Sequence, residues 1–259
     1  MIILKSNKEL EIMREAGKIT LGALNVVEQL IQPGMTTSEL NRAAEKYILS
    51  HDATPVFKGY NGFPASICAS INAQVVHGFP NDSEMQEGDI ASIDVGAVYK
   101  GYCGDAARTF PVGNISSEAA ALIETTKNSF FEGLKYARPG YRLSDISHAI
   151  QSYVEARGFS VVKAFVGHGI GRNMHEDPQI PNFGLPGKGP RLYPGMTLAI
   201  EPMVNQGTDQ VDIMEDRWTV YTRDRLLSAH YENTIAITEG DPIILTMEGQ
   251  KGGAPHEYG

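Results

Sequence analysis

Cysteine is scarce in this chain of 259 residues: only Cys68 and Cys103 occur, and neither belongs to a CxxC pair. A disulfide scaffold and a cysteine zinc knuckle are therefore excluded. Long apolar runs are missing too. The longest, Ala119–Ile123, has five residues, against roughly 20 for a membrane helix. The opening stretch, MIILKSNKELEIMREAG, holds no apolar core of a signal peptide. Positive charge is in deficit, with 31 acids against 22 bases and a formal net charge of -9, the wrong balance for a generic polyanion binder. Core material is not in deficit: 42% of the residues are apolar and 20% charged, which excludes global disorder. At about 150 residues per domain, the length fits one large domain or two small ones. The expectation is a soluble cytosolic protein.

What is present is a repeated order of elements. Ser6-x-x-Glu9 is a capping box opening a long helix that ends near Gln32-Pro33-Gly34. Thr36-x-x-Glu39 opens a shorter helix ending near His51. Ser116-Ser117 open a third that ends at Arg138-Pro139-Gly140, and a fourth runs from about Leu143 to Arg157, stopped by Gly158. Long helix, Pro-Gly, short helix thus occurs twice. At an offset of 106 positions, Pro33, Gly34, Ser38, Ala43 and Tyr47 fall on Pro139, Gly140, Ser144, Ala149 and Tyr153. Pro-Gly commonly ends helices, so coincidence is the rival explanation; five identities in matched helical context favour a duplicated half-domain. The expectation is one domain over 1–259, with halves at about 1–113 and 114–248 and a cleft between them. The polar, glycine-rich stretch Gly249–Gly259 should fray.

The strands pair in the same way. Asp89–Val95 follows Glu87-Gly88, and Met196–Glu201 follows Pro194-Gly195, which sets Asp94 opposite Glu201. The next strand acid is Asp105 in the first half and Glu232 in the second. Alternation puts Ser92, Asp94 and Gly96 on one face, and does the same for Cys103, Asp105, Ala107 and Thr109. Thr197, Ala199, Glu201 and Met203 share a face, as do His230, Glu232, Thr234 and Ala236. Any one such acid is most simply an exposed residue or half of a salt bridge. Four of them, related by a duplication and set on small-residue faces, need a counter-charge. Arg108 points to the opposite face from Asp105, so divalent metal is the natural candidate. Carboxylate-rich sites suit hard ions such as Mn or Fe(II), with some help from imidazole.

Histidine supplies that help. His168 and His175 stand seven apart in a glycine-rich segment, Gly167-His168-Gly169-Ile170-Gly171 and onward. His77 closes the apolar run Val75-Val76 at a turn, where a lone histidine is more often structural. His230 shares a face with Glu232 and reads as support for it. His51, His148 and His256 have no such setting. Other motifs fail: Glu176 is followed by Asp177-Pro178, which excludes HExxH, and Gly187-Lys188-Gly189 is no P-loop. No G-x-S-x-G elbow occurs, and Gly167-x-Gly169-x-Gly171 lacks dinucleotide spacing.

The order Asp94, Asp105, His168, Glu201, Glu232 resembles the five-ligand site of the pita-bread metallopeptidases. That resemblance implies an α+β fold of two pseudo-symmetric helix-pair and antiparallel-strand halves around a central dimetal site. Gly167–Gly171, Met174-His175-Glu176 and Ile200-Glu201-Pro202-Met203-Val204 resemble the type I methionine aminopeptidases of bacterial form, and the likeness runs from the first helix to about Leu245. Only 25 residues separate His175 from Glu201, which leaves no room for the helical insertion of type II enzymes.

The resemblance implies roles residue by residue. Asp105 and Glu232 bridge two divalent metal ions, drawn from Fe(II), Mn(II), Co(II) and Zn(II); His168 and Glu201 complete one and Asp94 the other. His77 and His175 contact the substrate amide and its developing oxyanion. Tyr60, Phe63, Cys68 and Trp218 wall a methionine pocket, in which a Cys68 thiol should meet thiol reagents. Phe57, Phe63 and Met174 depart from the residues commoner in the family, and so alter the pocket's shape. A monovalent cation is implied near Asn72 and Ser228. Two divalent ions about 3.5–4 Å apart can acidify a water that attacks the first peptide bond, and Glu201 can relay the proton to the leaving amine. The implied activity is removal of the initiator methionine when the second residue is small and uncharged. The implied partners are peptide and nascent-protein N-termini, with a transient ribosome contact, for a cytoplasmic monomer that binds neither membrane nor specific nucleic acid.

Two rivals remain. An X-Pro peptidase of the same fold usually carries a separate N-terminal domain, whereas the 76 residues before His77 are used by the first half-repeat. A non-catalytic binding module on the same fold would have lost ligands, and all five are here.

Overall fold

Two capping boxes set where the chain first becomes helical. The computed structural model describes residues 1–248, so the expected fraying of Gly249–Gly259 lies outside the described residues. Helix α1 spans Asn7–Leu30: the Ser6 hydroxyl accepts from Glu9 N, and the Glu9 carboxylate accepts from Ser6 N. Its inward stripe is Met13, Ala16, Gly17, Thr20, Ala23, Leu24 and Val27, the spacing of one helical face. Helix α2 spans Thr37–Leu49 behind the matching box of Thr36 and Glu39. Helix α3 spans Ser117–Leu134 and α4 spans Leu143–Glu155. α3 stops short of Arg138. Tyr136 and Ala137 donate back to Gly133 and Leu134 in a tighter turn, because a residue preceding proline disfavours the helical conformation.

The two helix pairs correspond closely. α2 and α4 each hold 13 residues. Gly34 and Gly140, which precede them, both take left-handed φ, at 87° and 96°. The caps differ: Arg142 has no side-chain cap and keeps only the return bond, its N–H donating to Asp145 at 2.8 Å.

Strands Ile90–Tyr99 and Tyr102–Pro111 form a long antiparallel hairpin, with Ile67–Ile71 on its other side. A second sheet orders Ile243–Ile244, Asn233–Ala236, Thr197–Ile200, Gly167–Gly169 and Glu176–Ile180. Leu24, Val27, Leu40 and Ile48 of the first helix pair pack with Ile93 and Val95 of the hairpin. Phe130, Ile146 and Ile150 of the second pair pack with Leu198, Ile200 and Ile235. Each such fully buried side chain stabilises by roughly 1.5–3 kcal/mol. α1 crosses the hairpin so closely that a Cβ on Gly104 would lie 2.8 Å from Gly17 N. Among the described residues, no helix is long and apolar enough to cross a membrane.

Two acids sit differently from the expectation. Glu201 lies just beyond the strand Thr197–Ile200, and Glu232 between Ser228–His230 and Asn233–Ala236. Pro202 has no N–H with which to carry the ladder past Glu201.

A seam joins the second half to the hairpin. Glu232 N donates to Ala107 O at 2.9 Å, and Ala107 N donates back to Glu232 O at 3.4 Å. On either side of this bridge a threonine hydroxyl takes the place of backbone. Thr234 Oγ1 accepts from Asp105 N at 3.0 Å and donates to Asp105 O at 2.9 Å. Thr109 Oγ1 accepts from His230 N at 2.8 Å and donates to His230 O at 3.0 Å. The order is that of an antiparallel pair, in which 105, 107 and 109 meet 234, 232 and 230.

Thr234→Val keeps the shape but strips two buried backbone groups of their partner. It should cost about 1–3 kcal/mol, read as a lower urea midpoint at unchanged slope, while Thr234→Ser keeps most of the stability. A parental midpoint in the valine variant would show that the hydroxyl does not hold the seam.

Candidate metal centre

The hairpin brings two carboxylates to one side. Asp105 stands opposite Gly96, and a Cβ there would lie 3.2 Å from Asp105 Oδ1, so the absent side chain gives the carboxylate its room. Asp94 faces Ala107 across the hairpin and Cys68 on the other side, and its carboxyl lies beside that of Asp105. From the second half, His168 pairs with Ala199, Glu201 follows Ile200, and Glu232 sits on the seam.

These donors converge. His168 Nε2 lies 3.8 Å from Asp105 Oδ2 and 3.6 Å from Glu201 Oε1. The donor atoms of Asp105, His168 and Glu232 all fall within 4.8 Å of one another, and those of Glu201, His230 and Glu232 do the same. Glu232 belongs to both groups. His230, read from the sequence only as support, thus stands among the donors: its Nε2 is 3.7 Å from Glu201 Oε2 and 3.9 Å from Glu232 Oε2. The i, i+2 spacing of His230 and Glu232 was the signal for it.

The electrostatics call for a cation. Asp105, Glu232 and His230 are each 2% exposed, so water does not screen them. Asp94 Oδ1, Asp105 Oδ1, Glu232 Oε1 and His230 Nε2 have no hydrogen-bond partner among the described residues, although buried polar atoms nearly always find one. Burial, and then neighbouring carboxylates, push Asp94, Glu201 and Glu232 well above the usual range. Burial raises Asp105 to about 7, against the lowering effect of the Asp94 carboxyl beside it. Arg108 reaches the opposite face, where it donates to Glu232 O and, at 2.7 Å, to Asn233 Oδ1, and lies 4.2 Å over the Tyr231 ring. Carboxylates with bare oxygens beside neutral imidazoles form a donor set suited to divalent metal.

The histidines are in the right form. His168 Nδ1 lies 2.9 Å from Gly169 O. A carbonyl only accepts, so Nδ1 carries the proton and the Nε2 lone pair faces the carboxylates. Burial, followed by His175, lowers His168 to about 4, and burial, followed by His77, lowers His230 to about 3. His175 stands against His168 with ring centroids 4.3 Å apart, and the Tyr60 hydroxyl meets its Nδ1 at 2.7 Å. The sequence had marked Tyr60 only as a pocket wall. His77 takes a left-handed φ of 59° and lies edge-on to Phe165 and Trp218; burial lowers it to about 4.

The expected pocket walls gather as well. Phe57, Phe63, Cys68 and Met174 are buried in one apolar cluster, edged by Tyr60, Phe79 and Trp218. Phe63 meets Trp218 and Phe57 edge-on, with centroids 5.1 and 6.4 Å apart. Cys68 is 4% exposed, and burial, reinforced by Asp94 and the other carboxylates, pushes its thiol well above the usual value. Asn72 and Ser228 also meet: Ser228 N donates to Asn72 O at 2.9 Å, and Ser228 Oγ to Asn205 Oδ1 at 2.8 Å.

Comparison with known proteins agrees with this geometry. The sequence model of metallopeptidase family M24 matches residues 11–239. A methionine aminopeptidase of Clostridium perfringens is 58% identical over 247 residues, which are 95% of this chain and 99% of that one. Methionine aminopeptidase 1 of Bacillus subtilis is 55% identical over 246 residues, with 95% and 99% covered. The crystal structure of methionine aminopeptidase from Thermotoga maritima superposes with a TM-score of 0.94 at 46% identity, covering 96% of this chain and 100% of that one. The fold is therefore the α+β pita-bread fold.

The perturbed acids predict how metal-free protein responds to pH. Above about pH 7.5 the unfolded histidines, ordinarily near 6.5, are almost all neutral, and the folded ones are neutral already because burial lowers them. The folded carboxylates still hold protons that the unfolded chain, titrating near its ordinary values, has released. Stability should therefore fall as pH rises above about 7.5, as the protons held on Asp94, Glu201 and Glu232 are lost. Added Mn(II) should flatten or reverse that slope, because it takes the place of the protons. Melting curves with chelator and with metal would check this, and a metal-free Tm that rises over the interval would contradict the burial of these acids.

Proposed function

The chain belongs to metallopeptidase family M24 and, within it, to the methionine aminopeptidases; from that premise we propose that it removes the initiator methionine of new proteins when the second residue is small and uncharged. It is a metal-dependent aminopeptidase. The observation that carries the reading is the convergence of donor atoms from Asp105, His168, Glu201 and Glu232, with bare oxygens on Asp94, Asp105 and Glu232.

In this reading Asp105, Glu232, His168, Glu201 and Asp94 would hold two divalent ions, with Asp105 and Glu232 shared between them. Fe(II), Mn(II), Co(II) and Zn(II) all suit such donors. When bound, they polarise the scissile carbonyl and acidify a water. The protein's own groups do the rest. Glu201 takes a proton and passes it to the leaving amine. His175 donates to the oxygen on which charge develops, and His77 to the substrate amide. Phe63, Cys68, Tyr60 and Trp218 offer the thioether an apolar, polarisable slot. His230 braces Glu201 and Glu232. The chain forms one catalytic domain whose halves, about 1–113 and 114–248, arose by duplication, which the equal lengths of α2 and α4 support. Its substrates are nascent-protein N-termini, met in the cytoplasm by a monomer in transient contact with the ribosome. Two free cysteines fit that reducing compartment. A monovalent cation near Asn72 and Ser228 belongs to the same reading.

The direct test titrates metal-free protein with Mn(II), Fe(II), Co(II) and Zn(II) and assays Met-Ala-Ser beside an Ala-Pro peptide. Metal-dependent release of methionine is expected, with the Ala-Pro peptide left intact; the reverse preference would replace this reading with an X-Pro peptidase. Asp105→Ala and Glu232→Ala should each abolish turnover with metal supplied, and near-normal turnover in either would sink the shared-ligand assignment. His175→Ala should lower kcat by roughly 10²–10³, the scale of a lost oxyanion donor, at unchanged metal content. Loss of a metal ion in that variant would make His175 a ligand instead.

A further inference from the structure

The glycine-rich motif holds one glycine that the donor set does not explain. A Cβ on Gly171 would collide with Lys5 Cε, and would lie 2.6 Å from Glu176 Oε1 and 2.7 Å from Lys5 Nζ. What fills that space is a buried ion pair. Lys5 Nζ donates to Glu176 Oε2, and the two side chains are only 4% and 6% exposed. Lys5 is itself anchored: its N–H donates to Gly195 O at 2.7 Å, and its ammonium also donates to Ile3 O at 3.1 Å. The other oxygen of Glu176 accepts from Asn173 N at 3.2 Å. One carboxylate therefore closes the turn 173–176, and His175 lies inside it.

Burying a lysine and a glutamate contributes little net stability, because the loss of hydration offsets much of the attraction. The pair does confer position. Between Ile170 and His175 the backbone has no regular secondary structure; backbone bonds tie its start, Cys103 N donating to Gly171 O at 2.8 Å, and side chains hold the rest. Its outer end is tied by Arg172, whose guanidinium lies 4.4 Å over the Tyr102 ring, while the Tyr102 hydroxyl donates to Glu9. The inner end is held by Lys5 through Glu176, while the His175 ring itself meets the Tyr60 hydroxyl at 2.7 Å and the His168 ring.

We propose that Lys5, acting through Glu176, is a positioning residue that holds the His175 ring at its working place. The proposal rests on the role given to His175 above, and neither Lys5 nor Glu176 touches substrate. The strap that runs ahead of α1 is thus part of the catalytic apparatus, although it lies 170 positions from His175 in sequence (175 − 5).

Three variants test it: Lys5→Met, Glu176→Gln, and the doubly apolar Lys5→Met/Glu176→Leu, which removes both charges and leaves none stranded. Tm, metal content, kcat and KM on Met-Ala-Ser, and the His175 ring resonances in histidine-labelled protein are measured for each. The resonances are assigned by their loss in His175→Ala. The expected result is a kcat lower by roughly 10–100-fold, with KM and metal content near parental and His175 resonances shifted or doubled. The doubly apolar variant should show the same loss at a near-parental Tm. A folded variant with parental kcat and parental His175 resonances would overturn the proposal. So would unfolding of all three, which would make the pair a folding element. If the parent itself does not cleave Met-Ala-Ser, the functional reading fails, and the His175 resonances still decide the positioning.

Discussion

Four carboxylates held close together and away from water repel one another, and the structure is arranged around that repulsion. Asp94, Asp105, Glu201 and Glu232 are each raised above the ordinary carboxylate range by burial. Such a cluster persists only if protons or metal ions neutralise it. In a metal-free chain, then, the stabilising hydrophobic packing of the two helix pairs works against the centre. With metal bound the centre joins the same side of the balance.

The donors are placed by backbone rather than by their own contacts. Asp94 and Asp105 are fixed by hairpin register, with Gly96 making space. Glu232 is fixed by the seam, in which two threonine hydroxyls continue a ladder that the backbone alone does not complete. Arg108 clasps the same segment from behind, meeting Tyr231, Glu232 and Asn233 in turn. An apolar face toward the helices and a polar face toward the centre is how one hairpin can belong both to the core and to the candidate metal centre.

Much of this was legible in the sequence, and what was legible was local or periodic. The capping boxes at Ser6 and Thr36 place two helix starts, and strand alternation puts Asp94 with Ser92 and Gly96. The glycines around His168 mark where backbone approaches the centre. What could not be read depends on long-range register. The bond between Thr234 and Asp105 spans 129 positions and carries no local signature. His230 looked peripheral because only the seam turns it to Glu201. Glu201 and Glu232 looked like interior strand residues because alternation continues past the points where Pro202 and the seam interrupt the ladder. Nothing local marks Lys5, since burial of a charge shows only when its partner is in view. The raised pKa of the Cys68 thiol likewise comes from burial, and then from carboxylates that reach it through space.

The donors are unevenly spread along the chain. Asp94 and Asp105 share one hairpin, whereas His168, Glu201 and Glu232 arrive from three separated segments. A polypeptide emerging from its first residue therefore makes the hairpin early and waits for position 232 before both donor groups exist. A metallopeptidase assembled in that order gains its full donor set only once residue 232 is in place.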